Sequence, residues 1–338
     1  MSSRAFLSIG LAVFLSAIPG CASLTLASPF DSASSLRQSV PQPPVQQSMP
    51  PSEGDLAAAE GHVLILEYHK VLPKEARWDR SIHRFCQDLH TLYKHGYRPV
   101  TMSEYLKGEL SAKHYRAQKR YWWDSPILHL LEAPTQKGLP RGMKPVIFTF
   151  DDSHISQFRL KEDGSLDPDC ALGIWARFAK KHPDFPVKAT FYVLPNAMWG
   201  QKKWLPKKLA MLKKWGCELG SHTYSHRNLG KLSDEQVKKE LALSILAIEK
   251  LGFKAETIAL PYGVAPKNGA LLKSFRYYGR TFGFKAAVLG GAGPAPMPGN
   301  KRFRAYHIPR TQGINGYLGV HFWVKKASLG KVRMHVSQ

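Results

Sequence analysis

Apolar positions recur along the chain in two periods. The run HVLILEYHKV, residues 62–71, is aliphatic or β-branched at almost every position, as expected of a strand buried on both faces. In SIHRFCQDLHTLYKHGY, residues 81–97, the spacing changes: Ile82, Phe85, Leu89 and Leu92 share one face of a helix that Gly96 is placed to stop. A short extended YRPVT and a second short helix near SEYLKGEL follow. Further on, KPVIFTF (144–150), VKATFYVL (187–194), CELGSH (217–222), ETIALPYG (256–263), KAAVLG (285–290) and FRAYHIP (303–309) read as strands. Between them SDEQVKKELALSILAIEKLGF carries a capping box at Ser233 and Gln236, an apolar face of Val237, Leu241, Ile245 and Ile248, and a terminating Gly252. Strand alternating with helix at this spacing predicts an α/β fold of parallel strands closing into a (β/α) barrel, with chemistry on the loops at the C-terminal strand ends.

Outside these periods the chain divides further. Residues 1–21, MSSRAFLSIGLAVFLSAIPGC, have one early base, an apolar run and small residues before Cys21, the pattern of an export signal. Ile18 to Cys21 resemble a lipoprotein box that would lipidate Cys21, with Pro19 a departure from it; ordinary secretion with cleavage nearer Thr25 to Ala27 is the alternative. The apolar run is short beside the roughly 20 residues of a membrane span. Residues 22–60 are rich in Ser, Pro and Gln and cannot bury enough surface to offset their ordering entropy, so they read as a tether. Residues 61–330 form the expected catalytic domain and 331–338 a tail. Within the domain LGGAGPAPMPGN, residues 289–300, reads as an irregular loop, and Tyr121, Trp122 and Trp123 lie on a basic insertion that either stacks sugars or packs against the body.

Composition narrows the partners. With 338 residues and 43% hydrophobic content, the chain can bury one sizeable core. A formal charge of +23 concentrates anionic surfaces or polymers around it. Export excludes nucleic acid from these and leaves cell-wall polymers, acidic glycans and lipid headgroups. Cys86, Cys170 and Cys217 show no paired spacing; they read as buried small apolar residues, able to form at most one disulfide.

Candidate chemistry falls just after three strands: Asp151 and Asp152 after VIFTF, His222 and His226 in GSHTYSH, and Pro261 to Gly263 in ALPYG. Each alone reads equally as a turn, a cap or a surface histidine. Together, one carboxylate and two imidazoles satisfy a zinc-like ion that keeps a position open. Neighbouring residues on a strand end point to different sides, so Asp152 can face a metal while Asp151 faces water and substrate.

TFDD at 149–152, SHTYSH at 221–226 and PYG at 261–263, in this order, resemble the first three motifs of the polysaccharide deacetylases, the chitooligosaccharide deacetylase homology domain of carbohydrate esterase family four. The similarity extends from YHKV at 68–71 through GYRPVT and ATFYVLP to YHIPR at 306–310. It implies a distorted (β/α) barrel that holds a divalent metal, most often Zn2+, and removes acetyl groups from an N-acetylated polysaccharide. By position, Asp151 matches the family's general base, Asp152, His222 and His226 match its metal ligands, and the N–H of Tyr262 matches a donor to the oxyanion. Two departures stand out. Ser153 replaces a glycine after the paired acids, and Ala259 replaces the arginine that orients the base. Arg310, in HIPR, is the candidate substitute. The family's closing Leu-x-His motif is missing, which leaves His307, and after it His321, as candidate acids, with His69 and His154 as cleft or structural histidines.

The resulting expectation is a metal-dependent N-deacetylase acting on an N-acetylhexosamine polysaccharide of the cell envelope or exopolysaccharide. A catalytically weakened glycan-binding lipoprotein on the same fold is the alternative. A metal-free glycosidase using Asp151 fits least, since adjacent acids cannot flank a glycosidic bond at about 5 to 9 Å.

Overall fold

A computed structural model describes residues 61–110, 138–291 and 293–338. The expected signal segment, the tether and the insertion bearing Tyr121 to Trp123 lie outside the described residues.

Thirteen strands follow in chain order among the described residues: β1 (His62–Tyr68), β2 (Lys70–Leu72), β3 (Asp79–Ser81), β4 (Tyr97–Pro99), β5 (Lys144–Phe150), β6 (Ala189–Val193), β7 (Glu218–Ser221), β8 (Thr257–Ala259), β9 (Phe275–Tyr277), β10 (Arg280–Phe282), β11 (Ala286–Val288), β12 (Ala295–Pro296) and β13 (Thr311–Gln312). The helices are α1 (Ile82–Lys94), α2 (Met102–Lys107), α3 (Ala171–Lys181), α4 (Leu205–Trp215), α5 (Asp234–Lys250), α6 (Ala270–Lys273) and α7 (Val320–Ser328). Nine strands make one sheet in the order β11-β8-β7-β6-β5-β1-β12, with β4 on β5 and β13 on β1; β2 with β3 and β9 with β10 form separate pairs. The central pairings are parallel, and β12 runs antiparallel to β1. Parallel strands connected through helices bury both faces, which is why β1 and β5 read as unbroken apolar runs.

Alternation along each strand sorts side chains between two cores. Leu64, Leu66, Tyr68, Val146, Phe148 and Phe150 pack outward beneath the helices. Val63, Ile65, Ile147, Tyr192, Ala259 and Val288 fill the lumen. Continued by the same parity, the lumen row of β1 ends on Glu67, and that of β5 runs through Thr149 to Asp151.

The two edges of the curled sheet are joined by residues 305–313. Ile308 pairs with Val288 on β11, while Thr311 and Gln312 pair with Leu66 and Glu67 on β1. FRAYHIP is therefore a bridging segment and not the strand that its composition suggests; the regular pairing begins two residues later, after Pro309. Within the Gly/Pro loop, Ala295 and Pro296 form the short β12 against the start of β1, so that loop is not wholly irregular. The helix expectations hold: Ser233 and Gln236 form the capping box of α5, and Gly96 takes a positive φ of 77° just past α1.

Candidate active site

At the C-terminal end of β5 the chain turns sharply. Asp152 and Ser153 both adopt left-handed backbone, with φ of 68° and 54°. Such a turn favours glycine. Ser153 holds it by accepting a hydrogen bond from the Leu194 N–H through Oγ at 2.9 Å, which ties the turn to the end of β6. The turn separates the two acids: Asp151 continues the lumen row, and Asp152 swings up to the rim.

On the rim Asp152 meets the histidines. Its Oδ1 lies 3.3 Å from Nε2 of both His222 and His226. His222 follows β7, and its Nδ1–H donates to the Ala259 carbonyl at 2.8 Å, which fixes the ring with Nε2 toward Asp152, where it donates to the carboxylate when protonated and offers a lone pair to a metal when neutral. The loop to His226 is pinned by α5: Glu240 accepts from both N–H and Oγ of Ser225, and Ser244 bonds Ser221. Thr223 and His226 sit at φ of 64° and 58°, strain tolerated because Thr223 Oγ1 accepts from the His226 N–H at 3.0 Å. Burial, reinforced by His222, pushes His226 down to about 4, so it is neutral near pH 7. Burial opposes ionisation of Asp152, but its bond to His222 outweighs that and holds the carboxyl well below the usual carboxylate range. Burial likewise works against a charged His222, and the bonded Asp152 raises it nonetheless.

These three residues can hold a divalent metal. Their donor atoms all lie within 4.8 Å of one another. Bonds of about 2.0 Å in tetrahedral geometry set ligands roughly 3.3 Å apart, which is the spacing of Asp152 from each imidazole. One oxygen and two nitrogens suit zinc-like ions and leave coordination open to water and substrate.

Below the rim Asp151 is 1% exposed and faces Arg310, itself 1% exposed. The guanidinium binds both carboxylate oxygens, at 2.8 and 2.7 Å, and also reaches Thr149 Oγ1, Glu67 Oε1 and the Leu289 carbonyl. Burial alone would raise the Asp151 pKa; the charge and bonds of Arg310 reverse the direction and lower it. Arg310 thus makes the contact expected of the arginine that Ala259 replaces. Ala259 is a buried lumen residue, and the segment that closes the barrel brings the cation in from β11 and β1.

The first three motifs therefore converge. Tyr262 lies in a turn with φ of 60°, its ring 4.9 Å from that of His226. His307 is on the bridging segment but is exposed, and its one backbone bond returns to Arg304. His321 bonds Asp88 at 2.9 Å, in a buried network with Arg80 and Tyr68. His154 bonds Ser156.

A second group was not foreseen: Glu67, His69 and Asp151 present donor atoms within 4.8 Å of one another. Arg310 already occupies both oxygens of Asp151, so this group is better suited to proton handling than to a cation. Gln157 donates to the carbonyls of both His69 and Asp151 and so fastens the two strand ends together. His69 stands close enough to Asp151, Asp152 and His226 to influence all three. The parallel register of Tyr68 on Phe150 is the signal that places His69 beside Asp151.

Residues 139–284 match the family model described as polysaccharide deacetylase. The chain carries a polysaccharide deacetylase domain. This is a hydrolase domain, and solved structures share its fold. The deacetylase PplD of Streptococcus pyogenes, solved in complex with acetate, is 18% identical, with 78% of this chain and 97% of that one covered at a TM-score of 0.51. The polysaccharide deacetylase BC0361 from Bacillus cereus is 16% identical over 81% of this chain and 69% of that one, at a TM-score of 0.51. No curated protein sequence matches the chain. The deacetylase domain keeps its paired acids, histidine pair and Pro-Tyr-Gly turn in one place and takes its lumen arginine from a different wall.

Proposed function

We propose that the protein is a Zn2+-dependent N-deacetylase of an N-acetylhexosamine polysaccharide in the cell envelope or exopolysaccharide. One observation carries the reading: Asp152, His222 and His226 converge at metal-ligand spacing directly above an Arg310-bound Asp151.

When bound, the ion supplies Lewis acidity toward the amide carbonyl and toward water. Asp152, His222 and His226 hold it, with His222 oriented through the Ala259 carbonyl. Asp151 enters the reaction ionised because Arg310 opposes the effect of burial, and accepts the proton of the attacking water. The water oxygen adds to the carbonyl carbon, and the N–H of Tyr262 donates to the developing oxyanion. The carbon–nitrogen bond then breaks, the amine nitrogen takes a proton, and acetate and a free amino sugar leave. We assign that donation to His69, whose ring nitrogen lies within 4.8 Å of an Asp151 carboxylate oxygen; His307, the first candidate, is exposed. The weakened, glycan-binding alternative drew on the missing arginine at 259 and on the missing closing motif; the contacts of Arg310 with Asp151 weigh against the first of these grounds.

The +23 charge suits an anionic envelope. We assign residues 1–21 as an export signal, with lipid attachment at Cys21 and residues 22–60 as the tether; Cys21→Ser moving the protein from membrane to soluble fraction is the check.

Metal analysis paired with acetate release from N-acetylglucosamine oligomers tests the centre. The expected result is about one equivalent of divalent metal, activity abolished by chelator and restored by Zn2+, and loss of both metal and activity in His222→Ala. Full metal retention by that variant would sink the assignment.

A further inference from the structure

Between α6 and β11 the chain forms a hairpin, β9 to β10, packed on the outer face of α5. Its base is well anchored, since Phe275 and Phe282 are buried and stack at 5.6 Å; next to the turn, Arg280 binds Glu249. Its tip is different. Tyr277 pairs with Arg280, so Tyr278 and Gly279 form a two-residue turn with φ of 42° and 75°. Such primed turns favour Asn, Asp or Gly at the first position, and a bulky aromatic there is a backbone outlier. Tyr278 gains no burial in exchange, since it is 91% exposed. Neither turn chemistry nor packing accounts for a tyrosine here.

The ring borders a built surface. Tyr277 and Tyr278 meet edge to face at 4.5 Å and line a groove of about 530 Å³ with Arg276, Lys238, Lys239 and Glu235. That volume lies within the range of about 300–1,000 Å³ usual for small-ligand sites. The groove runs along the first turns of α5, the end of the helix that follows the loop bearing His226. Its chemistry is that of sugar recognition: apolar ring faces to cover the C–H face of a hexose, and charged side chains to hydrogen-bond its hydroxyls. Lys238 is paired with Glu235, and Arg276 and Lys239 leave the groove net positive, so a free amino sugar is disfavoured there.

We propose that the Tyr278 hairpin and the groove on α5 form a second glycan site that holds an acetylated stretch of the polymer outside the catalytic cleft. It rests on the deacetylase reading for the identity of the polymer. Neutral N-acetylated residues are accepted and deacetylated, cationic ones released, so the site keeps unprocessed chain near the cleft.

The test uses the full chain, high-molecular-weight poly-N-acetylglucosamine, its chemically deacetylated form and an N-acetylglucosamine pentamer. Tyr278→Asn removes the ring while installing a residue that the turn prefers, so it folds at least as well as the parent. Affinity for the acetylated polymer is expected to fall about three- to ten-fold. Tyr278→Phe restores it, and pentamer turnover is unchanged. The parent binds the deacetylated polymer more weakly, and Lys239→Glu narrows that difference. Equal polymer binding by Tyr278→Asn and the parent overturns the site, as does a parent that binds no polymer, or loss in Tyr278→Asn of binding only to anionic lipid vesicles. Ring-dependent polymer binding without any acetate release would instead keep the site and fell the catalytic reading.

Discussion

Replacing Arg310 with Met tests whether one guanidinium both holds the base and stabilises the lumen. The side chain makes two bonds to Asp151, one each to Thr149 and Glu67, and one to the Leu289 carbonyl. Asp151, Glu67 and Arg310 are all buried. Removing the cation leaves two carboxylates close together out of water, and breaking a buried pair in this way costs about 3–5 kcal/mol. Against a typical total of about 5–15 kcal/mol, the variant folds but is marginal. The pH dependence fixes the mechanism. In the parent the Asp151 pKa lies below its unfolded value, so its contribution is present above the unfolded pKa and is lost as pH falls through the folded one. In Arg310→Met only the weaker influence of His222 and His69 still opposes burial, so the pKa rises, and a protonated acid relieves the strain. The stability gap between parent and variant is therefore widest near neutral pH and closes on acidification. Urea unfolding at about pH 7 and about pH 4.5 measures it. Turnover is expected to fall by about 10² or more, because a base displaced by about 1 Å loses that much. Arg310→Lys should recover part of the stability and little of the rate, since an ammonium cannot bind both oxygens in one plane. A gap independent of pH, or intact turnover in Arg310→Met, would refute the reasoning.

Other outcomes follow from the same contacts. His69→Ala should lower turnover by about 10² and leave metal content unchanged, while His307→Ala stays within about two-fold of the parent; the reverse pattern would return the acid to the bridging segment. Ser153→Gly should change stability by less than about 1 kcal/mol, because relief of a left-handed serine offsets the lost bond to Leu194, as thermal unfolding will show. Asp88→Asn weakens the buried pairing with Arg80 and should cost about 3–5 kcal/mol in urea unfolding while metal content is unchanged.

The fold was legible where the pattern was long. The apolar faces of α1 and α5 and the buried runs of β1 and β5 announced their elements, because burial on a helix face or on both sheet faces leaves a period in the chain. It was not legible at 303–312, where the closing segment pairs with one edge through Ile308 and with the other through Thr311 and Gln312. No local period encodes a segment that changes partners midway. Within the site, the paired acids and the histidine pair were readable because each is a local cluster. Glu67 and His69 were harder, since their closeness to Asp151 depends on strand register, with Leu66 opposite Phe148 and Tyr68 opposite Phe150.

The exchange of Ala259 for an arginine elsewhere shows what the lumen constrains. A buried carboxylate requires a cation, but it does not specify which wall supplies it. In a closed barrel, inward positions of several strands converge on the same volume. Ala259 on β8, Tyr192 on β6 and Ile308 on the bridge all belong to the inner core, and Arg310 follows Ile308 by two residues, the period that returns a side chain to the same face. The guanidinium of Arg310 lies 5.7 Å from the Tyr192 ring centroid, against the inner core to which Ala259 also belongs. The charge of Asp151 is thus met from the bridging segment. The motif looks broken along the chain because a buried carboxylate requires a cation in the lumen and not at a fixed position in the sequence; here Arg310 delivers it from the bridging segment.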